Sequence, residues 1–317
     1  MIDTTGYGVV LASYGRGVLV EADEVPLGGA RDGHALDAAS PSGGRHLRCS
    51  LKGRKQRIVC GDRITWIYEP ANDGASVDSV EPRRNLIERI DLRGRAEPVA
   101  ANIDRLAIVV APEPAADWFL VDRYWAGARL KDIASLLIVN KSDLGLDAIR
   151  EEIEIYRGLG LPCMETTIQS TEGIERLQSD WAGGGVTLLV GQSGVGKSSL
   201  VNALAPEAAA QTSELTRDAE GRHTTTTARR YRLGPKTAIV DAPGVRDFAP
   251  PASLVRAAER GFVEVHARSV ECRFNDCRHM EEPGCAVRAA VAGGHIAARR
   301  YESYRRLFRL YEKLAGP

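Results

Sequence analysis

Apolar and polar positions change rhythm twice along this chain. In the first 90 residues the apolar ones come in short bursts set apart by turn-forming residues. Gly8-Val9-Val10-Leu11-Ala12 and Gly17-Val18-Leu19-Val20 flank Ser13-Tyr14-Gly15-Arg16, and Arg57-Ile58-Val59-Cys60 precedes Arg63-Ile64-Thr65-Trp66-Ile67-Tyr68. The last of these alternates polar and apolar side chains, the period of a strand with one face buried. Short strands in this number, ahead of any helical pattern, predict a small β-barrel. Residues 27–44, rich in Gly, Ala, Ser and Asp, read as a flexible loop, and residues 81–101, punctuated by Pro82, Gly94 and Pro98, read as a linker. Beyond it the pattern becomes strand, helix, strand. Leu106-Ala107-Ile108-Val109-Val110 and Leu136-Leu137-Ile138-Val139 are unbroken apolar runs, as in strands covered on both faces. Helical segments near residues 117–130 and 146–158 accompany them. Val186-Thr187-Leu188-Leu189-Val190, a helix-like segment at residues 199–204, and Lys236-Thr237-Ala238-Ile239-Val240 continue the alternation. Such a chain predicts a parallel, doubly wound sheet with its ligands at the carboxyl ends of the strands. Near the end Tyr301, Tyr304, Phe308, Tyr311 and Leu314 recur at three and four residues, an amphipathic helix with its aromatic side turned to a core.

The length of 317 residues leaves room for more than one domain. Lys and Arg total 42, as do Asp and Glu, so the net charge is zero and any charge signal is local. One such signal is Arg45, Arg48, Lys52, Arg54, Lys55 and Arg57, with no acidic residue until Asp62. A single-sign cluster on a small barrel is either a solvated face or the electrostatic footprint of nucleic-acid binding. The final helix carries another, in Arg299, Arg300, Arg305, Arg306, Arg309 and Lys313, which are expected to point outward toward RNA. No apolar run approaches the ~18 residues of a membrane helix. The amino terminus lacks the basic-then-apolar pattern of a signal peptide. Three of the six cysteines cluster with a histidine at metal-like spacing, so the expectation is a cytoplasmic protein with no membrane partner.

The chemistry begins at Gly191-Gln192-Ser193-Gly194-Val195-Gly196-Lys197-Ser198-Ser199, a G-x-x-x-x-G-K-S stretch between a strand and a helix. Glycines let successive N–H groups turn inward onto phosphate oxygens, and the helix amino terminus adds positive potential. Lys197 reaches the β- and γ-phosphates, a catalytic as well as a binding role, and the Ser198 hydroxyl takes a place on Mg²⁺. Asn140-Lys141-Ser142-Asp143 follows a strand as N-K-x-D. A carboxylate there accepts the N1–H and exocyclic amine of guanine, whereas adenine would leave it unpaired. Lys141 lies along the base, and Asn140 ties this loop to the phosphate loop. Asp241-Ala242-Pro243-Gly244 reads D-x-P-G, with Asp241 on Mg²⁺ and the Gly244 N–H toward the γ-phosphate. Upstream, Gly221-Arg222-His223-Thr224-Thr225-Thr226-Thr227 is a run of hydroxyls from which Thr224 or Thr225 would close on Mg²⁺. Thr225 is expected to be the metal ligand, with a catalytic role through that metal, and Thr224 a nucleotide contact. Val245 follows Gly244 where a water-orienting glutamine would stand, and Arg246 stays protonated. His223 is therefore the candidate for orienting the attacking water. Cys272, Cys277, His279 and Cys285 offer three thiolates and an imidazole, a closed set suited to structural zinc.

In Ras-like GTPases N-K-x-D comes last of these motifs; here it comes first. The order, the G-R-H-T-T-T segment at Gly221 to Thr226 and the cysteine spacing resemble the RsgA/YjeQ family of circularly permuted, ribosome small-subunit-dependent GTPases. The guanine-contacting Ser-Ala of that family is replaced, at the corresponding place, by Glu165-Thr166-Thr167. The resemblance implies an OB-fold RNA-binding domain (1–90), a permuted P-loop GTPase domain (91–250) and a zinc-binding helical domain (251–317). It also implies a monomer that binds GTP or GDP with Mg²⁺, binds the small ribosomal subunit and its rRNA, and hydrolyses GTP late in assembly to release assembly factors. Two rival readings are a non-enzymatic RNA-binding protein, against which Lys197, Ser198 and Asp241 argue, and an ATP-using P-loop enzyme, against which Asp143 argues.

Overall fold

The computed structural model describes residues 4–15, 17–23, 36–37, 45–51, 57–69, 74–90, 95–206, 228–242 and 258–315. Strands β1 (Thr4–Tyr14), β2 (Gly17–Ala22), β3 (Leu36–Asp37), β4 (Arg45–Leu51), β5 (Arg63–Glu69) and β6 (Gly74–Val80) form the first sheet. Pairing runs β2-β1-β5-β6-β4, and a further β2–β4 ladder closes these five into a barrel. Inward alternation of Val10, Val18, Val20, Leu47, Ile64 and Trp66 fills it. Residues 57–60 do not make the strand their apolar run suggests. The Asp62 carboxylate accepts the Val59 N–H at 2.8 Å and the Asp62 N–H returns to the Val59 carbonyl at 3.1 Å, closing a turn instead.

The segment read as a linker contains two paired strands. It folds as an antiparallel pair, β7 (Leu86–Ile90) with β8 (Ala96–Ala101), and buries Ile87 and Ala100. Pro98 sits where the register shifts between Ile87 and Glu88, a bulge that tolerates the missing N–H and disrupts the alternation a reader looks for.

The second sheet is built from β9 (Arg105–Val110), β10 (Ala134–Val139), β11 (Cys163–Glu165), β12 (Gly185–Gly191), β13 (Arg229–Arg232) and β14 (Thr237–Asp241), in the order β11-β10-β9-β12-β14-β13. All its ladders are parallel except β13 on β14. Alternate residues of β9 serve opposite cores, which explains the unbroken apolar run. Leu106, Ile108 and Val110 pack with helices α1 (Trp118–Arg129) and α2 (Arg150–Gly158). Ala107 and Val109 pack with α3 (Thr171–Trp181) and α4 (Lys197–Leu204).

Helices α5 (Val263–Ser269), α6 (Ala286–Ala292) and α7 (Ala298–Ala315) enclose a third core around Phe262, Val265, Val287, Tyr304, Leu307, Phe308 and Tyr311. The aromatic side of α7 faces inward as its periodicity requires. Its basic side divides. Arg306, Arg309 and Lys313 are exposed and Arg305 is half-buried, but Arg299 and Arg300 are not outward-facing. Arg300 is 1% exposed and Arg299 is half-buried, and both bond Asp122 of α1. A basic helix with this composition looks solvated until the acids that face it are brought in from α1, α2 and α5.

Candidate functional site

Strand β12 delivers its last residue, Gly191, against the carbonyl of Val109 on β9; a Cβ there would lie 2.3 Å from that oxygen. Val195 then turns into the core, and Gly196 (φ 94°) starts α4 in a conformation that side-chain-bearing residues rarely adopt. A Cβ on Gly196 would also meet the Asn140 amide nitrogen at 2.3 Å. Ser193, Ser198 and Ser199 line the open side of this loop. The Lys197 ammonium donates to the carbonyls of Gly191 (2.9 Å) and Gln192 (2.8 Å), which holds its charge inside the loop's curve.

The N-K-x-D loop leaves β10 and reaches this loop with two side chains. Asn140, 2% exposed, donates from Nδ2 to the Val195 carbonyl at 2.9 Å and accepts from the Thr166 hydroxyl at 3.2 Å. Lys141, in a left-handed conformation at φ 56°, donates to the carbonyls of Gly194 (2.8 Å) and Glu113 (2.9 Å). Ser142 follows, half-buried, its N–H on the Thr166 carbonyl at 3.1 Å. Asp143 is exposed and accepts the Thr167 hydroxyl, which in turn accepts the Gln169 N–H at 3.1 Å. The departure from Ser-Ala is thereby given a structural place. Thr166 braces the asparagine and Thr167 orients the carboxylate, while both lie on the exit of β11, a three-residue strand too short to be seen in the sequence.

Asp241 ends β14 in register with Leu189 of β12, which brings it beside the start of α4. Burial raises its carboxyl above the ordinary range, opposed by the Lys197 ammonium, a hydrogen bond with Ser198, and Arg229. Its Oδ1 is buried without a hydrogen-bond partner among the described residues. A buried acceptor next to a serine hydroxyl is the donor set a hard divalent cation takes, so Ser198 and Asp241 fit Mg²⁺. Gly244, His223, Thr224 and Thr225 lie outside the described residues.

Far along the chain Cys272, Cys277, His279 and Cys285 bring their ligand atoms within 4.8 Å of one another. The Sγ atoms of Cys272 and Cys285 each lie 3.5 Å from His279 Nδ1, and 3.9 Å from each other. A tetrahedron with Zn–S near 2.3 Å and Zn–N near 2.0 Å has edges of about 3.5 Å (S···N) and about 3.8 Å (S···S). The donor set therefore fits zinc in spacing as well as in kind. His279 Nε2 lies 3.1 Å from Glu259 Oε2, where an Nε2–H donates to the carboxylate and leaves Nδ1 free for a cation. Sequence reading passed over Glu259, because nothing in its neighbourhood in the chain marks it. Two tyrosines of α7 brace the histidine's turn: Tyr301 donates to the His279 carbonyl at 2.5 Å and Tyr304 to the Arg278 carbonyl at 2.9 Å.

Of the basic barrel stretch, Arg45 and Arg48 lie on β4, and Arg48 is half-buried. Arg57 is exposed and pairs with Glu97. Lys52, Arg54 and Lys55 lie outside the described residues. No helix among the described residues is long and apolar enough to cross a membrane.

Comparison with known proteins agrees with this geometry. The family model described as RsgA GTPase matches residues 80–250. Over 309 residues the chain is 38% identical to the small ribosomal subunit biogenesis GTPase RsgA of Azotobacter vinelandii, covering 95% of this chain and 84% of that protein. It is 40% identical over 273 residues to the protein of the same description from Ectopseudomonas mendocina, covering 83% and 78%. Among solved structures, the crystal structure of YjeQ from Thermotoga maritima superposes with a TM-score of 0.69 at 28% identity, over 99% of this chain and 100% of that one. The fold alone is shared with YloQ, a circularly permuted GTPase (TM-score 0.66, 21% identity, 98% and 96% covered).

Proposed function

We infer how this site works from the fact that the chain belongs to the RsgA GTPase family: it is a GTP hydrolase that acts in biogenesis of the small ribosomal subunit. The observation that carries the reading is the joint between its two loops. Asn140 and Lys141 bond the phosphate loop directly, so a nucleotide gripped by Gly191 to Ser199 has its base delivered to Asp143. Phosphates would lie over the loop's N–H groups with Lys197 on their outer oxygens. Ser198 and Asp241 would hold Mg²⁺, which neutralises charge developing on the phosphoryl oxygens. Thr225 or Thr224 would complete that coordination in the triphosphate state, the Gly244 N–H would meet the γ-phosphate, and His223 would orient the water. The division of labour is a barrel at 1–90 and a zinc-held helical domain at 251–317, flanking the GTPase domain at 91–250 and gripping rRNA. Hydrolysis on the subunit then drives release of assembly factors by a cytoplasmic monomer. GTP turnover measured with and without purified small subunits tests this. Turnover of GTP, not ATP, that rises when subunits are added is expected; a rate indifferent to subunits would refute the ribosomal role.

Zinc in the Cys272, Cys277, His279, Cys285 set serves structure rather than chemistry, since four protein ligands leave no open position. Without a cation, burial foremost, with the Cys285 and Cys272 thiols beside it, pushes the Cys277 thiol up to about 12. Metal analysis is expected to find about one zinc per chain. Cys277→Ser should abolish it and expose residues near the cluster to protease, while GTP affinity stays within about twofold because no nucleotide contact comes from this core. Metal-free protein that is otherwise intact and protease-resistant would reject the assignment.

A further inference from the structure

The barrel and the GTPase sheet are joined through a carboxylate. Glu21, on β2 of the barrel, accepts from Arg230 at 2.9 Å with one oxygen and from Arg232 at 3.0 Å with the other. The carboxylate is 13% exposed and the guanidinium of Arg230 14%, so water screens the contact little. Both arginines belong to β13, the edge strand of the GTPase sheet, two residues apart and therefore on the same face. Arg229 and Tyr231 take the opposite face, and there Tyr231 is buried in the core beneath α3 and α4.

Among the described residues this four-residue edge strand has a ladder on one side only, so its seat depends on what holds its outer face. Here the outer face carries two like charges at adjacent positions, which repel unless an anion bridges them. Glu21 is that anion, and it comes from the other domain. The consequence falls on the inner face. Arg229 is the register partner of Asp241 across the β13–β14 ladder. Side chains directly opposite in an antiparallel pair stand about 5 Å apart at Cβ. Asp241 is in turn hydrogen-bonded with Ser198. From Glu21 to the candidate Mg²⁺ residues there is thus one short strand.

We propose that Glu21 is a positioning residue for the Mg²⁺ site: by clamping Arg230 and Arg232 it seats β13 on β14, and with it Arg229 beside Asp241, so that docking of the barrel sets how well Ser198 and Asp241 take a divalent cation with a nucleoside triphosphate. The inference rests on the reading of Ser198 and Asp241 as the Mg²⁺ residues. It also gives the barrel a task in the reaction itself, separate from any contact it makes with RNA. Removing the carboxylate acts twice in the same direction. It loosens the strand beside Asp241, and it leaves two like charges on that strand's outer face to repel each other.

Two variants test it. Glu21→Gln keeps the shape without the charge; Glu21→Asp keeps the charge but is too short to reach both guanidiniums. Each is measured for the Mg²⁺ concentration that half-saturates GTP hydrolysis, for GDP affinity in EDTA, and for amide exchange over residues 229–232 and 237–241. A positioning role raises the half-saturating Mg²⁺ roughly tenfold in both variants, a loss of the size seen when groups behind metal ligands are removed. It also speeds exchange in β13 and leaves Mg²⁺-free GDP affinity within about twofold, because the contacts of Asn140, Lys141 and the phosphate loop are untouched. A wild-type Mg²⁺ dependence in folded Glu21→Gln overturns the proposal. So does a normal Glu21→Asp beside an impaired Glu21→Gln, which would make the effect one of charge alone, and so does a parallel loss of GDP affinity. Wild-type protein whose GTP turnover ignores Mg²⁺ altogether would instead refute the reading of Ser198 and Asp241, and the inference with it.

Discussion

Asp143→Asn is expected to lower guanine-nucleotide affinity by roughly two orders of magnitude and to admit xanthosine nucleotides. The carboxylate is exposed at the edge of the site, and the Thr167 hydroxyl donates to its Oδ1. Ionised, it has acceptor capacity left for two donors, the N1–H and amine of guanine. An amide in the same place offers one acceptor and one donor, so it faces the guanine amine with a donor of its own. Losing a charge-assisted pair of this kind costs about 3 kcal/mol, and about 1.4 kcal/mol is a factor of ten. Xanthine carries a carbonyl where guanine has its amine, and that carbonyl accepts from the amide. Titration with fluorescent GDP and XDP measures both sides of the exchange. Thr167→Val separates orientation from recognition: it removes a neutral donor to the carboxylate and the acceptor of the Gln169 N–H, two neutral bonds of about 1 kcal/mol each, and leaves the preference for guanine in place. GDP affinity unmoved by Asp143→Asn would remove this residue from the base site.

Asp122→Ala is expected to be the most damaging single change to stability away from the nucleotide. Asp122 has no exposed surface, yet Arg299 and Arg300 both bond it at 2.6 Å, and the Tyr156 hydroxyl donates to it at 2.5 Å. Glu152 holds Arg299 and Glu264 holds Arg300, the latter through two bonds of 2.7 and 2.9 Å. The Arg300 guanidinium also lies over the rings of Phe262 (4.9 Å), Trp125 (5.0 Å) and Tyr156 (5.4 Å). This network fastens α7 to α1 and α2 of the GTPase sheet. Deleting one member of a buried ion pair costs about 3–5 kcal/mol when its partner is left uncompensated; Glu152 and Glu264 keep hold of the two guanidiniums, which places Asp122→Ala at about the lower figure. An exposed pair is a different matter. Arg306 with Glu302 on the same helix is worth about 0–1 kcal/mol, and Glu302→Ala serves as the control. Urea unfolding followed by tryptophan fluorescence, to which Trp118 and Trp125 beside the network contribute, reads the difference. If Asp122→Ala unfolds at the same urea concentration as wild type, the network does not hold the helical domain to the sheet.

The GTP-binding and metal motifs were legible in the chain because each is local. A phosphate loop is a backbone shape, and Gly191, Gly196 and Lys197 announce it within nine residues whatever surrounds them. N-K-x-D and the cysteine spacing are likewise short runs, and the fold brings each beside the partners its residue types call for. The unbroken apolar runs of β9 and β10 spoke for a sheet covered on both faces, and the rhythm at Tyr301, Tyr304 and Phe308 spoke for a helix with a buried side. What tertiary structure decided is everything that pairs one distant charge with another. Arg299 and Arg300 have the sequence environment of a solvated basic helix, and only the arrival of Asp122, Glu152 and Glu264 from three other helices turns them inward. Glu259 becomes the partner of His279, Thr167 the partner of Asp143, and Glu21 the clamp on a strand some 200 residues away, by the same route. An ion pair leaves no periodicity in the chain, because its strength depends on distance and on the water excluded from it, and folding alone sets both.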